Sequence, residues 1–458
     1  MTPVGKKTFF AGSLSILISA LMLTLFPGAP AVPMLVGVTI IIFITRLVVS
    51  RLQWGSDRLF NIILVFFTIA TAGVILNIHG FTSAEGTTAA SPELISPDQR
   101  RYFEDALNSL DPSLGTPAIA KHHGYGLLVS IIWRFTGISL VYPLLLNLLA
   151  LVLTLLATGQ IEFITAKVKK TETAIASVII LGSICYFLNS ATLLLRETLI
   201  SLSIASFALG CLNISRGKSM ILAITTIVSG AGLMALLRPI WVIFLIIPAL
   251  LLLNSNIKRA VTSTALVIAG TILFLNIFPT EEYTSSLGSI LKDNLTSSDG
   301  GARTIYWSII GSDYFSLNPF HKILLLPVTL AVQVLTPFPW NFSRDMIYGL
   351  SQFYSHISYP WYAVAGTIIY GFTRIRSKEI PPLIKRCGIS YLLLFAAVAY
   401  ITAGSVSRYA LPFLPLAAPF AANVILTFSK EKSFRTYAIC YTALTATVLV
   451  TIYLFTAQ

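Results

Sequence analysis

The segment ISPDQRRYFEDALNSLDP, residues 95–112, carries the side chains best suited to chemistry. A serine and a proline at its start, with Gln99 at capping-box spacing, predict a surface helix. Helical spacing places Asp98 and Tyr102 on one stripe, with Asp105 close by. A carboxylate at the head of such a helix is suited to accept a proton from a hydroxyl. The helix dipole alone also favours an aspartate there, so both interpretations stay open.

Two adjacent histidines follow in the segment KHHGYG, residues 121–126. His122 and His123 are suited to bind a phosphate or orient a hydroxyl. They lack the four-residue spacing of a helical metal pair, so we predict no metal site and no cofactor. Anchoring at the membrane interface is the alternative role.

Three arginines, Arg238, Arg303 and Arg408, lie at or between apolar segments without an acidic residue close in sequence. A guanidinium group can bind a phosphate with two hydrogen bonds and stays charged at any relevant pH. We therefore predict that these arginines bind an anionic ligand. The alternative is that they reach toward lipid headgroups.

The composition indicates that these residues belong to a membrane protein. Of the 458 residues, 55% are hydrophobic and 11% are charged, and the mean hydropathy is +0.82. Apolar runs of roughly 17 to 23 residues, separated by short basic clusters, match the thickness of a bilayer. The chain is therefore expected to be an all-α, polytopic transmembrane helix bundle of about 11–14 spans, with two long outer-face loops that contain short helices. A soluble fold is excluded because so much apolar surface could not be buried.

The hydropathy pattern divides the chain into five parts. These are N-terminal spans (1–76), a first outer loop with interfacial helices (77–140), central spans (141–278), a second outer loop with an interfacial or re-entrant segment (279–356), and C-terminal spans (357–458). Among the expected spans are Val141–Phe163, Ala174–Phe187, Glu197–Leu212, Ile221–Leu237, Ile240–Leu253 and Leu411–Phe428. We expect Gly124–Gly137 and Ile323–Trp340 not to cross completely.

Charge predicts the orientation. The net charge is +13, and most of the 31 Lys and Arg residues fall at the ends of spans that would face the cytoplasm. Most of the 18 acidic residues fall in the two outer loops. Such an excess of basic residues indicates topology and contact with anionic lipid, and no segment suggests nucleic-acid binding. The predicted span interiors are nearly free of charge, which argues against an ion-coupled transporter.

Several of these motifs together resemble the polyprenyl-phosphate-dependent GT-C glycosyltransferases. Asp98 and Tyr102, followed by HGYG and by Phe135-Thr136-Gly137 and Asn147, are similar to the first periplasmic loop of the family-39 group, which includes protein O-mannosyltransferases and the lipid A aminoarabinose transferase. The pair Arg196-Glu197 is also similar. So are Arg238-Pro239 and the segment SRYALPFLPLAAPFAA, residues 407–422, which contains Arg408 and Tyr409.

The resemblance implies an enzyme of the inner (plasma) membrane with its active site on the periplasmic face. Asp98 would be the catalytic base. Tyr102, Asp105, His122, His123, Arg196, Glu197, Arg238, Arg303, Arg408 and Tyr409 would bind substrate. The implied partners are a polyprenyl-phosphate-linked sugar donor, membrane lipids, and a glycan, lipid or protein acceptor. In this sequence Asp98 is followed by Gln99, where the family usually has Glu.

Two other functions stay open. One is a polymerase or ligase of lipid-linked oligosaccharides, in which outer-loop arginines such as Arg303 and Arg408 dominate and no carboxylate base is essential. The other is a transporter or flippase, which would move lipid or solute without sugar transfer.

Overall fold

The computed structural model describes nine stretches of the chain. They are residues 3–26, 30–83, 97–110, 124–167, 169–217, 219–253, 319–335, 359–402 and 407–456.

Within these stretches the chain is helical and contains no β-strand. The α-helices, numbered in chain order, are α1 (Pro3–Leu25), α2 (Ala31–Arg51), α3 (Asp57–Ser83), α4 (Pro97–Leu110), α5 (Gly124–Thr136), α6 (Val141–Thr165), α7 (Lys170–Ser183), α8 (Cys185–Thr192), α9 (Glu197–Ser215), α10 (Met220–Leu237), α11 (Ile246–Leu253), α12 (Pro319–Leu335), α13 (Tyr359–Thr373), α14 (Pro382–Thr402), α15 (Leu414–Phe428) and α16 (Lys432–Thr456). Two 3-10 helices, Pro239–Leu245 and Ser407–Phe413, precede α11 and α15.

Seven helical segments in the described stretches are long and apolar enough to cross a membrane. They are Ala31–Arg51, Asp57–His79, Val141–Thr165, Glu197–Ser215, Met220–Leu237, Pro382–Tyr400 and Ala410–Phe428. A helix satisfies its own backbone hydrogen bonds, which is why an apolar segment crosses lipid in this form. The prediction of an all-α, multi-pass membrane protein is therefore confirmed.

The helix bundle has two chemically different ends. At one end, Trp54 between α2 and α3 donates a hydrogen bond from Nε1 to Gln160 Oε1 near the end of α6 (2.6 Å). The turn from α6 to α7 at this end carries Lys167, Lys169 and Lys170. We call this the basic end. The opposite end contains α4 and α5, the start of α9 and the end of α10, and we call it the loop end.

Close helix packing in the centre relies on small residues. Ser203 of α9 donates a hydrogen bond to the Gly230 carbonyl oxygen of α10 (2.6 Å). A Cβ atom added at Gly230 would lie 2.6 Å from the Ser203 carbonyl oxygen, so only glycine permits this approach. Small residues commonly allow such backbone contact between membrane helices. The contact joins α9 to α10, whose adjacent ends at the loop end carry Glu197 and Arg238.

The structure corrects several expected boundaries. The expected span Ala174–Phe187 is broken at Ile184, whose extended backbone separates α7 from α8. The segment after Pro239 begins as a 3-10 helix and becomes α-helical at Ile246.

Helix α5 has 13 residues, which is too short to cross a hydrocarbon core about 30 Å thick. Most of the expected second outer loop, and the end of the expected segment 323–340, lie outside the described residues.

Candidate functional site

Helix α4 is docked onto the loop end by one apolar face. Tyr102, Phe103 and Ala106 are buried, and the Phe103 ring lies 5.1 Å from the Trp133 ring of α5, edge to face. A Cβ atom added at Gly126 of α5 would lie 2.8 Å from the Asp105 Cβ atom. The expected surface helix therefore forms, but its packed face holds it in a definite position against α5.

Gln99 contributes to this docking in a way that capping-box spacing does not predict. Its side chain is buried and exchanges hydrogen bonds with the Asn77 amide of α3, at 3.1 and 3.2 Å. The Gln99 Oε1 atom also accepts a hydrogen bond from the Leu194 backbone N–H (2.8 Å). Asn77 in turn donates to the Thr192 carbonyl oxygen (3.1 Å). Gln99 thus links α4 to α3 and to the segment between α8 and α9.

Asn147 of α6 fixes the same segment from the other side. Its Nδ2 atom donates to the carbonyl oxygens of Leu193 (2.9 Å) and Leu195 (3.0 Å), and it also contacts the Tyr125 hydroxyl (3.1 Å). Burial raises the pKa of the Tyr125 phenol well above its usual range, so the hydroxyl stays protonated. These bonds satisfy two buried carbonyl groups and hold the backbone that leads into Arg196.

The buried Arg196 side chain lies between α4 and α10. Its Cζ atom is 5.4 Å from the centre of the Tyr102 ring, within the range of a cation–π interaction. Its Nη1 atom donates to the Leu237 carbonyl oxygen at the end of α10 (3.1 Å). The Tyr102 ring also packs edge to face against the Tyr125 ring, 5.2 Å away. One arginine therefore connects the docked helix to the residue that precedes Arg238.

Glu197 and Arg238 are the residues that follow Arg196 and Leu237, and they form an ion pair. The Arg238 Nη2 atom is 3.6 Å from Glu197 Oε1, and the two side chains are 10% and 3% exposed. The Arg238 guanidinium lies 4.3 Å from the centre of the Trp241 ring, which stacks on Phe413 at 5.8 Å. Phe413 ends the 3-10 helix that contains Arg408 and Tyr409. The stacking of Trp241 on Phe413 therefore holds this 3-10 helix beside Arg238.

The structure brings together four of the residues expected to bind substrate: Tyr102, Arg196, Glu197 and Arg238. Asp105 lies in α4, with its Cβ atom against Gly126. Asp98 lies in α4 one turn before Tyr102, but its side chain is outside the described part, as are those of Arg408 and Tyr409. His122, His123 and Arg303 are also outside it.

Sequence reasoning missed three residues that build this arrangement: Asn77, Tyr125 and Trp241. An amide in the apolar second half of helix α3 was the available indication for Asn77. Tyr125 lies inside the quoted HGYG motif, and Trp241 follows Arg238-Pro239, but neither had an assigned role. Among the described residues, no three His, Cys, Asp or Glu side chains are grouped as metal ligands would be.

No protein-family model and no curated protein matches the sequence. Among solved structures, the chain is similar to the archaeal oligosaccharyltransferase AglB from Archaeoglobus fulgidus, in complex with an inhibitory peptide and a dolichol-phosphate. The identity is 14%, the TM-score is 0.44, and the match covers 85% of this chain and 54% of AglB. The matched part thus spans about half the length of that relative.

Proposed function

We propose that the protein is an integral membrane glycosyltransferase of the GT-C type. It would transfer a sugar from a polyprenyl-phosphate-linked donor to a glycan, lipid or protein acceptor on the periplasmic face. The observation that carries this proposal is the convergence of Tyr102, Arg196, Glu197 and Arg238 at the loop end, beside the helix that holds Asp98.

The two arginines would bind the donor phosphate. As the bond between the sugar C1 atom and the phosphate oxygen breaks, its electron pair stays on the phosphate, and guanidinium groups stabilise that growing charge. Tyr102 supports Arg196 through its ring, and Glu197 orients Arg238 through the ion pair. The two guanidinium groups are thereby held in place before the donor binds, which lowers the entropy lost on binding.

Asp98 would act on the acceptor. It would remove the proton from the acceptor hydroxyl as the oxygen forms a new bond to the sugar C1 atom, and polyprenyl phosphate would leave. The Glu197 Oε2 atom is buried and has no hydrogen-bond partner among the described residues. A buried acceptor of this kind requires a donor, and a sugar hydroxyl group can supply one.

The test is a transfer assay with purified protein and a panel of radiolabelled polyprenyl-linked sugars. We expect label to move to an acceptor, and Asp98→Asn to reduce the rate by about 10²–10⁴-fold, as expected for loss of a general base. The exposed Glu104 of the same helix is the matched control, and Glu104→Gln should retain the rate.

The other functions give different results in the same experiments. Full activity in Asp98→Asn with loss in Arg303→Ala would favour a polymerase or ligase of lipid-linked glycans. Movement of lipid or solute in proteoliposomes, with no transfer from any donor, would favour a transporter or flippase.

A further inference from the structure

A groove between α3 and α7 lies near the basic end, away from the candidate site. Its volume is about 570 Å³, and it is lined by Arg58, Asn61, Ile62, Val65 and Ile179. Val65 is 57% exposed and Ile179 is 39% exposed, so the apolar wall is open to the surroundings. Helix α3 is long and apolar enough to cross the membrane, and exposed apolar side chains on such a helix are expected to face lipid.

The charge at the mouth of the groove is positive and available. Neighbouring Asp57 is already engaged, because its Oδ1 atom lies 2.7 Å from Arg46 Nη1. Arg46 also lies over the Phe60 ring, 5.3 Å from its centre. Arg58 is exposed and makes no ion pair with any residue in the described part of the chain. Its charge is therefore not neutralised within the bundle.

The backbone adds to this positive field. Arg58 lies in the first turn of α3, where the helix dipole favours an anion, and the Ser56 Oγ atom already accepts a hydrogen bond from the Leu59 N–H of this turn (3.1 Å). From Arg58 to Val65 the helix rises about 10 Å, so the polar mouth and the apolar wall are successive parts of one surface. Asn61 lies between them, and its Oδ1 atom has no hydrogen-bond partner among the described residues.

We propose that this groove binds an anionic phospholipid. The phosphate lies against Arg58 at the start of α3, and one acyl chain lies along Ile62, Val65 and Ile179. The proposal is independent of the transferase activity, since these residues lie at the end of the bundle opposite Arg196 and Arg238.

Native mass spectrometry and lipid titration in detergent test the proposal with phosphatidylglycerol and phosphatidylcholine, two phospholipids that differ in charge. We expect phosphatidylglycerol to bind at least about tenfold more tightly, because one charge-assisted contact is worth that factor. Arg58→Gln should remove the preference, and Arg58→Lys should keep part of it. Arg51→Gln, which changes an exposed arginine outside the groove, is the matched control and should keep all of it.

A substitution that fills the apolar wall distinguishes lipid binding in the groove from attraction to surface charge alone. Val65→Trp leaves Arg58 in place and occupies the path of the acyl chain, so it should weaken binding of both lipids. Equal binding of the two lipids by the unaltered protein would overturn the proposal. So would a preference that survives Arg58→Gln, or affinities for the two lipids that Val65→Trp leaves unchanged.

Discussion

Arg238 and Glu197 face each other across the ends of α10 and α9, with Nη2 and Oε1 3.6 Å apart and both side chains almost fully buried. Removing one partner of a buried ion pair leaves an uncompensated charge, which typically destabilises a protein by about 3–5 kcal/mol. We expect Glu197→Leu and Arg238→Leu each to lower the melting temperature. In contrast, Glu197→Leu/Arg238→Leu together should recover much of that loss.

The double variant separates stability from function. If Arg238 binds the donor phosphate, the stabilised double variant should still lack donor binding and transfer. A double variant that is stable and fully active would show that the pair is only structural. Arg374 and Glu431 form a control pair, 3.6 Å apart and each at least 40% exposed, whose removal should leave the melting temperature almost unchanged.

The ring of Tyr102 supports Arg196, so ring and hydroxyl substitutions should differ. Tyr102→Phe keeps a ring 5.4 Å from the Arg196 Cζ atom, whereas Tyr102→Ala removes it. A cation–π contact at a desolvated site is worth up to about 2 kcal/mol. We expect Tyr102→Ala to weaken donor affinity by up to about 30-fold and Tyr102→Phe by only a few-fold, measured by donor titration. An equal loss in both variants would mean that the hydroxyl, not the ring, matters.

Asn147 should be more important for stability than its partner Tyr125. Asn147→Asp replaces the Nδ2 donor by an acceptor and removes its bonds to the Leu193 and Leu195 carbonyl oxygens. The Leu193 oxygen keeps the bond from the Leu195 N–H (2.7 Å), so the Leu195 carbonyl group is the one that loses its donor. Each unsatisfied group costs about 1–3 kcal/mol. Tyr125→Phe preserves both bonds, so its loss of unfolding free energy should be clearly smaller in thermal or chemical denaturation. A larger loss in Tyr125→Phe would contradict the role given to Asn147.

Gly126 sets the position of α4. A Cβ atom there would lie 2.8 Å from the Asp105 Cβ atom, so Gly126→Ala must displace α4. We expect a stability loss of about 1–3 kcal/mol, typical of overpacking, and a lower transfer rate because Tyr102 moves with the helix. Gly232→Ala in α10 is the control, since nothing lies within 4 Å of a Cβ atom at that position. If both variants behave alike, the close contact between α4 and α5 is not required.

Glu162 near the end of α6 is fully buried, with Thr173 and Asn423 beside its carboxyl group. These two side chains are near, but neither carboxyl oxygen makes a well-aligned hydrogen bond with a described residue. An isolated ionised carboxylate would be very costly at such a site. We therefore expect Glu162→Gln, which keeps the shape and removes the charge, to change the melting temperature little. Glu162→Lys should prevent folding, and equal damage by both variants would show that a charged carboxylate is needed.

The helices themselves were largely predictable. The expected span Val141–Phe163 corresponds to α6 (Val141–Thr165), and Ile221–Leu237 corresponds to α10 (Met220–Leu237). Length and hydropathy are sufficient here because backbone groups in lipid must be satisfied within the segment. The break at Ile184 was not predictable in this way, since the sequence remains apolar across it and long-range bonds hold the segment that follows.

The sequence by itself determined an all-α membrane protein, a short amphipathic helix before α5, and candidate arginines at helix ends. It did so because hydropathy and helical spacing act over a few turns of chain. Only the tertiary structure decided that Arg196 lies over Tyr102 and that Arg238 pairs with Glu197. Those contacts join residues far apart in sequence, and they depend on how Gln99, Asn147 and Gly126 allow the helices to pack.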